Sequence, residues 1–287
     1  MRLLLFPILA FTTIMLGCCS DTILDPYKDS VVITTDQKVL LIDYTGNRCG
    51  NCPRAADEAA RLHELFGDKL VIVAMHTGST FARPDPAKGF TEDFRTAAGE
   101  GLYTFVGTPG QPAGSVNLVK VTGSYTMLYP NWASAISKEL KKTPTMSIAI
   151  TPQLSNDSVL TVKSVVTYKK ASTGNHRLAV YLVEDSVVYA QIDYRLTPEK
   201  IDNYTHRHVM RGAIIGGVFT DKYTGVINES AAFGEALPAT VANASTSKTY
   251  SIPLSGKKWN LKHCSVVVQV LDNTTKSTLQ VADTHIQ

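Results

Sequence analysis

This chain lacks a disulfide framework, a basic cluster and any long apolar run beyond its first residues. Five cysteines in 287 residues are too few to staple a small secreted scaffold. The formal charge is only +3, and no group of Lys or Arg is dense enough to track a phosphate backbone, so nucleic acid is not an expected partner. The one sustained apolar run, Leu3 to Leu16, is too short to span a bilayer comfortably. What is present is ordinary globular composition, 44% hydrophobic and 18% charged, over a length that allows two cores.

The N-terminus reads as a targeting segment. Met1-Arg2 gives a positive start, Leu3 to Leu16 the apolar stretch, and Gly17-Cys18 a small residue before cysteine. The pattern resembles a bacterial lipoprotein signal, in which residues 1–17 are removed and Cys18 becomes the acylated N-terminus. Cys19 is the second candidate, and an ordinary secretory signal with incidental cysteines is the plain alternative. Cleavage before Cys18 deletes one arginine and lowers the formal charge from +3 to +2. Residues 18–30 would then tether the first folded segment to a membrane through lipid.

Cys49-Gly50-Asn51-Cys52 carries the most chemistry. Two cysteines at this spacing can close a small disulfide that opens in exchange with other thiols. Val39 to Tyr44 reads as a buried strand interrupted by Asp43, and Leu70 to Met75 as a second. Between them Pro53 to Phe66 reads as a helix, with Ala55, Ala59, Leu62 and Phe66 on one face and Gly67 as its stop. The cysteine pair therefore falls at a helix N-terminus, where unpaired N–H groups and the positive dipole end stabilise a thiolate. Cys49 is expected to be partly exposed with Arg48 favouring its thiolate, and Cys52 to be shielded. A zinc site would need four ligands; Cys264, His63 and His76 form no second pair at ligand spacing, so no metal or cofactor is expected. A structural disulfide is the remaining alternative.

Strand, CxxC and helix together resemble the thioredoxin fold. The resemblance implies that Asp43, at the family's spacing before the first cysteine, assists proton transfer at Cys52. It also implies a cis-proline loop for docking peptide substrates, for which Gly110-Gln111-Pro112-Ala113-Gly114 is the better candidate and Pro109 the weaker. Two departures stand out: Arg48 replaces the family's tryptophan, and Pro53 its basic residue. Proline is tolerated there because the first turn's N–H groups have no helical partner.

Pro130 to Lys142 reads as a helix closing the first domain, residues 31–142, with a boundary at Thr143-Pro144. Residues 143–287 then alternate. Leu160, Val162, Ser164, Val166 and Tyr168 point one way along a strand. Leu178 to Glu184 and Val187 to Tyr194 read as a hairpin around Asp185-Ser186, and Thr249 to Leu254, Lys262 to Leu271 and Ser277 to Ala282 as further strands. The expected fold class is thus an α/β thioredoxin-like domain followed by an all-β antiparallel sandwich of immunoglobulin-like architecture. Cys264 shares a face with Val266, Val268 and Val270 and reads as a core thiol. His206 and His208 would share one face of a strand, but no carboxylate or cysteine nearby completes a metal site.

LLIDYTGNRCGNCPRAA, GQPAGSVN, YTHRHVMRG and WNLKHCSVVVQVLD, with the lipoprotein signal, resemble the twenty-eight-kilodalton outer-membrane lipoprotein family of Bacteroidota. That implies lipid anchoring at the outer membrane, on its periplasmic face or at the cell surface. Two functions follow as expectations. One is thiol-disulfide exchange with envelope protein thiols or disulfides, using Cys49, Cys52, Asp43 and Pro112 and needing a redox donor. The other is a binding or adhesion lipoprotein in which the CxxC region is scaffold. Cys18→Ser is expected to release the protein from membranes or leave an uncleaved precursor, whereas Cys19→Ser changes little; fatty-acid labelling of both variants checks this.

Overall fold

The computed structural model describes residues 36–226 and 230–286. The expected signal peptide, Cys18 and the tether lie outside the described residues. Strand β1 (Val39–Thr45) and β2 (Leu70–His76) pair in parallel, joined by helix α1 (Cys52–Phe66). Both strands are buried on both faces and, apart from Asp43 and the terminal Thr45 and His76, are built of apolar or aromatic residues, as suits a strand covered on two sides. Helix α1 starts with Pro53 in its first turn and buries Ala55, Ala59, Leu62 and Phe66, the face the sequence predicts; Gly67, at φ 54°, ends it. Helix α2 (Ala97–Phe105), β3 (Ala113–Val116) and α3 (Trp132–Leu140) follow. β3 runs antiparallel to β1, setting Gly114 opposite Asp43.

The remaining strands are β4 (Met146–Leu154), β5 (Val159–Tyr168), β6 (His176–Glu184), β7 (Val187–Ile192), β8 (Lys200–His206), β9 (Val209–Ile215), β10 (Val218–Thr220), β11 (Glu235–Leu237), β12 (Ser245–Pro253), β13 (Cys264–Asp272) and β14 (Thr278–His285). One mixed sheet runs β14-β13-β6-β9-β2-β1-β3, with β10 on β9 and β11 on β6. A three-stranded sheet, β12-β5-β4, packs on one face of it: Leu160, Val162, Val166 and Tyr168 meet Leu178, Val180, Leu182, Val266 and Val268. On the opposite face Ala179, Tyr181, Val183 and Val267 join Leu40, Ile42, Val71, Val73 and Leu102 of α2. Strand β6 therefore feeds both cores.

This corrects the expected fold class. Strands from before and after Thr143-Pro144 share one sheet instead of forming an α/β thioredoxin-like domain followed by a separate sandwich. The physical reason lies in the edges. β2 offers a free edge and β9 takes it, through Ala74↔Val209 and the bond from Ala74 N–H to His208 O, 2.8 Å. The expected hairpin is also corrected. β6 is bonded to β13 on one side and β9 on the other, which leaves no edge for β7. That strand pairs with β8 in a separate two-stranded ribbon.

Cys264 sits as the sequence predicts, with Val266, Val268 and Val270 in the sandwich core, 0% exposed. Burial, with Glu184 nearby adding to it, pushes its thiol up to about 12. A buried, protonated thiol is inert. Native protein is therefore expected to leave Cys264 unmodified by iodoacetamide at neutral pH and denatured protein to alkylate it, read by peptide mass mapping.

Candidate functional site

The cysteines lie where β1 passes into α1. Thr45 ends the strand, Cys49 N–H donates to Gly46 O (3.0 Å), and Cys52 N–H donates to Cys49 O (3.1 Å), a turn that delivers Cys52 as the first helical residue. Cys49 and Cys52 form a disulfide, with Cα atoms 5.4 Å apart. Asn51 occupies the helix cap position without a side-chain capping bond, and no acidic residue sits in the first turn. The positive end of the helix dipole at the pair is thus not neutralised locally.

Two expectations about the surroundings change. Arg48 is not free to serve Cys49: its guanidinium is held by Asp85 (3.1 Å) and the Thr80 carbonyl (2.8 Å). Nor is Cys49 partly exposed. Both cysteines are 2% exposed, because β7 and the loop that joins it to β8 lie across the turn. Ile192 N–H donates to Asn47 O and Tyr194 N–H to Gly50 O, both at 3.0 Å, and Gln191 Nε2 donates to Cys49 O, also 3.0 Å. The Tyr194 ring lies so close to Gly50 that a Cβ there would sit 2.3 Å from its Cδ1. Arg195 pairs with Asp193 and, at 2.6 Å, with Asp57 of α1. That last pair is exposed and contributes only about 0–1 kcal/mol. The backbone bonds and the ring do most of the holding. Tyr189 anchors the other end of the ribbon, its hydroxyl accepting from Glu92 N–H at 2.8 Å.

Asp43 projects from β1 on the α1 side of the sheet. It is 3% exposed, and its Oδ1 has no hydrogen-bond partner. Burial pushes its carboxyl up to about 7, so the group exchanges a proton near neutrality, where a proton-handling residue is most effective. Pro112 follows a cis Gln111–Pro112 bond, unlike Pro109, and leads into β3 beside β1. Gln111 Nε2 fixes that loop by donating to the Thr45 carbonyl (3.0 Å) and the Thr77 carbonyl (2.9 Å).

Asp43 and Cys52 line one cavity of about 340 Å³ between α1 and the end of β8. His76 and His206 line it as well, with ring centroids 5.4 Å apart. Burial, then the neighbouring His206 and Arg211, holds His76 well below the usual imidazole range. Burial lowers His206 to about 4. Both are therefore neutral at pH 7, and His76 Nδ1 and Nε2 and His206 Nε2 are unpartnered. His206 ends β8 and His208, at φ 54°, lies in the link before β9, so the two do not share a strand face as the sequence suggested. No group of three His, Cys, Asp or Glu among the described residues is placed to hold a metal.

Sequence reasoning passed over His76 except as a zinc ligand. Its signal was present: it stands two residues beyond Ala74, the register partner of Asp43, and strand alternation puts it on the same face. Gln191 and Tyr194 carried no such signal, since their contacts cross about half the chain.

Comparison with known proteins adds a family. The family model described as outer membrane protein Omp28 matches residues 100–287, a span that leaves Cys49 and Cys52 outside it. No curated protein matches the sequence. Among solved structures, HBP35 of Porphyromonas gingivalis is similar over 88% of this chain and 76% of its own, at 17% identity and TM-score 0.62. A domain of the outer membrane lipoprotein Omp28 from the same organism covers 51% of this chain and 91% of its own, at 20% identity and TM-score 0.30. An Agrobacterium tumefaciens protein covers 87% and 94%, at 14% identity and TM-score 0.46.

Asp43 gives a pH-dependent stability. Folded Asp43 keeps its proton up to about pH 7 while its ordinary value is 3.8, so folding is most favoured below 3.8 and that stability is lost as pH rises towards 7. Asp43→Asn is expected to unfold at higher urea than the parent above pH 7, with the advantage shrinking to nothing as pH falls towards 3.8.

Proposed function

The chain belongs to the Omp28 family of outer membrane proteins, and from that premise we propose that it is a lipid-anchored envelope protein whose Cys49–Cys52 pair exchanges disulfides with envelope proteins. Anchoring rests on Cys18 and the signal-like residues before it. The observation that carries the chemistry is the placement of Asp43, buried, half-unpartnered and titrating near neutrality, on the same cavity as Cys52. A purely structural bridge has no use for a costly buried carboxyl behind it.

In the reduced protein the Cys49 thiolate, at the helix N-terminus, attacks one sulfur of a client disulfide and expels the other as a thiolate. Asp43 then takes the proton of Cys52. The Cys52 thiolate attacks the Cys49 sulfur, closing the Cys49–Cys52 disulfide and releasing the client's first sulfur. The client gains two electrons and the pair loses them. Pro112, in the loop beside the end of β1, would align the client backbone. The β7–β8 ribbon and its connecting loop have to move aside first, since Ile192 and Tyr194 occupy the backbone acceptors of Asn47 and Gly50.

The second reading is a binding lipoprotein in which the disulfide braces the turn beneath the ribbon; the 2% exposure of both cysteines favours it. Trapping separates the two. Cys52→Ala removes the resolving thiol, so mixed disulfides through Cys49 are expected to accumulate in the envelope and run as high-mass species on non-reducing gels. Asp43→Asn is expected to slow exchange on the order of a hundredfold without loss of fold. If Cys52→Ala traps nothing and the pair's potential lies below about −300 mV, in the range of inert structural bridges, the binding reading replaces exchange.

A further inference from the structure

The two sulfurs are unequally approached. A thiolate attacks a disulfide along the S–S axis, from the side of the attacked sulfur remote from its partner. At Cys49 that surrounding turn is roofed by Gln191, Ile192 and Tyr194, bonded to the Cys49, Asn47 and Gly50 carbonyls. Cys52, by contrast, lines the cavity of about 340 Å³, and Cys49 does not. That volume is at the small end of the range for small-molecule sites, about 300–1,000 Å³. It cannot admit a folded protein. It is lined by Asp43, His76 and His206, each of which carries a buried polar atom without a hydrogen-bond partner, and its exposed mouth carries both signs of charge in Asp57 and Arg207. A desolvated wall of unpaired donors and acceptors selects a polar guest over an apolar one.

We infer that the oxidised pair is recharged by a low-molecular-weight, amino-acid-like thiol that enters this cavity and attacks Cys52 Sγ. The inference rests on the exchange reading and names the donor that reading requires. In the first step the small thiol gives its proton to the Asp43 carboxylate, its sulfur bonds to Cys52 Sγ, the Cys49–Cys52 bond breaks, and Cys49 leaves as a thiolate at the helix N-terminus. A second small thiol then attacks the guest sulfur of the mixed disulfide. Its proton passes to the departing Cys52 thiolate, and the proton on Asp43 returns to Cys49. Two small thiols become one small disulfide, and the protein pair gains two electrons and two protons. His76 and His206, uncharged, hydrogen-bond the guest without opposing the carboxylate beside it. Protein clients and the electron donor thus reach the pair from different sides, clients at Cys49 once the ribbon moves and the donor at Cys52 through the cavity.

The test uses the oxidised mature chain, L-cysteine as the probe, a neutral buffer, acid quenching within seconds and peptide mass mapping. The expected early product is a cysteinyl adduct on Cys52 with Cys49 free. Ala56→Phe, which fills the cavity from α1, is expected to slow adduct formation at least about tenfold while leaving circular dichroism and trapping by the Cys52→Ala background unchanged. An adduct that appears first on Cys49 overturns the inference and leaves exchange standing. So does an absence of any adduct in a protein whose Cys52→Ala form still traps clients, or an Ala56→Phe protein, folded by circular dichroism, that reacts at the parental rate. If neither an adduct nor a trapped client forms, the inference and the exchange reading fall together.

Discussion

Strand β6 is bonded along both edges and buried on both faces, and the arrangement around it decides where the functional elements can go. Its odd-numbered residues Ala179, Tyr181 and Val183 serve the core that includes β1 and β2, and its even-numbered Leu178, Val180 and Leu182 serve the sandwich core. A strand so committed cannot accept its sequence neighbour as a hairpin partner. β7 is therefore expelled from the sheet, pairs with β8 alone, and lies across the Cys49–Cys52 turn. The roof over the disulfide is the direct topological result of β13 and β9 flanking β6.

The site beneath that roof departs from the rule that buried polar groups are paired. Asp43 Oδ1, both His76 nitrogens and His206 Nε2 have no protein partner, and all three residues border one cavity. Their charges are managed by titration instead. The histidines are neutral at pH 7 because burial disfavours their cationic forms, and Asp43 stands near its midpoint for the same reason with the opposite sign. The result is a pocket that can hold or pass one proton without ever burying two charges. Local packing also fixes the acid's position: Asp43 is flanked in register by Ala74 and Gly114, small residues that leave room on its face.

Much of this was legible. Apolar runs gave β1 and β2, 3.6-residue spacing gave α1 and its buried face, and strict alternation gave β5 and the inward Cys264, because each of these signals is complete within one element. What was not legible depends on pairing between distant segments. The alternation of Val187 to Ile192 is real, but it says nothing of which strand lies beside it, and the nearest candidate had no free edge. Helix α2, AAGEGLYTF, carries two glycines that weaken any helical signal. His206 reads as a surface strand histidine until the fold places it against His76, Phe94 and Tyr204. The expected fold class failed for a related reason: two locally sound patterns, one α/β and one all-β, do not reveal that their sheets join.

The contact between Tyr194 and Gly50 places a further condition on the motif itself. The residues between two such cysteines are the ones most able to adjust a pair's chemistry, since they set the geometry and electrostatics of the turn. Here the first of them is spoken for by the roof, because any side chain at position 50 would occupy the space of the Tyr194 ring. Variation at 50 must be matched by a smaller side chain at 194, so the two positions are coupled as lock and key are. Of the two residues between the cysteines, only Asn51, which is exposed, can then change its side chain without displacing the roof, and Gly50 answers to the shape of its cover more than to the demands of sulfur chemistry.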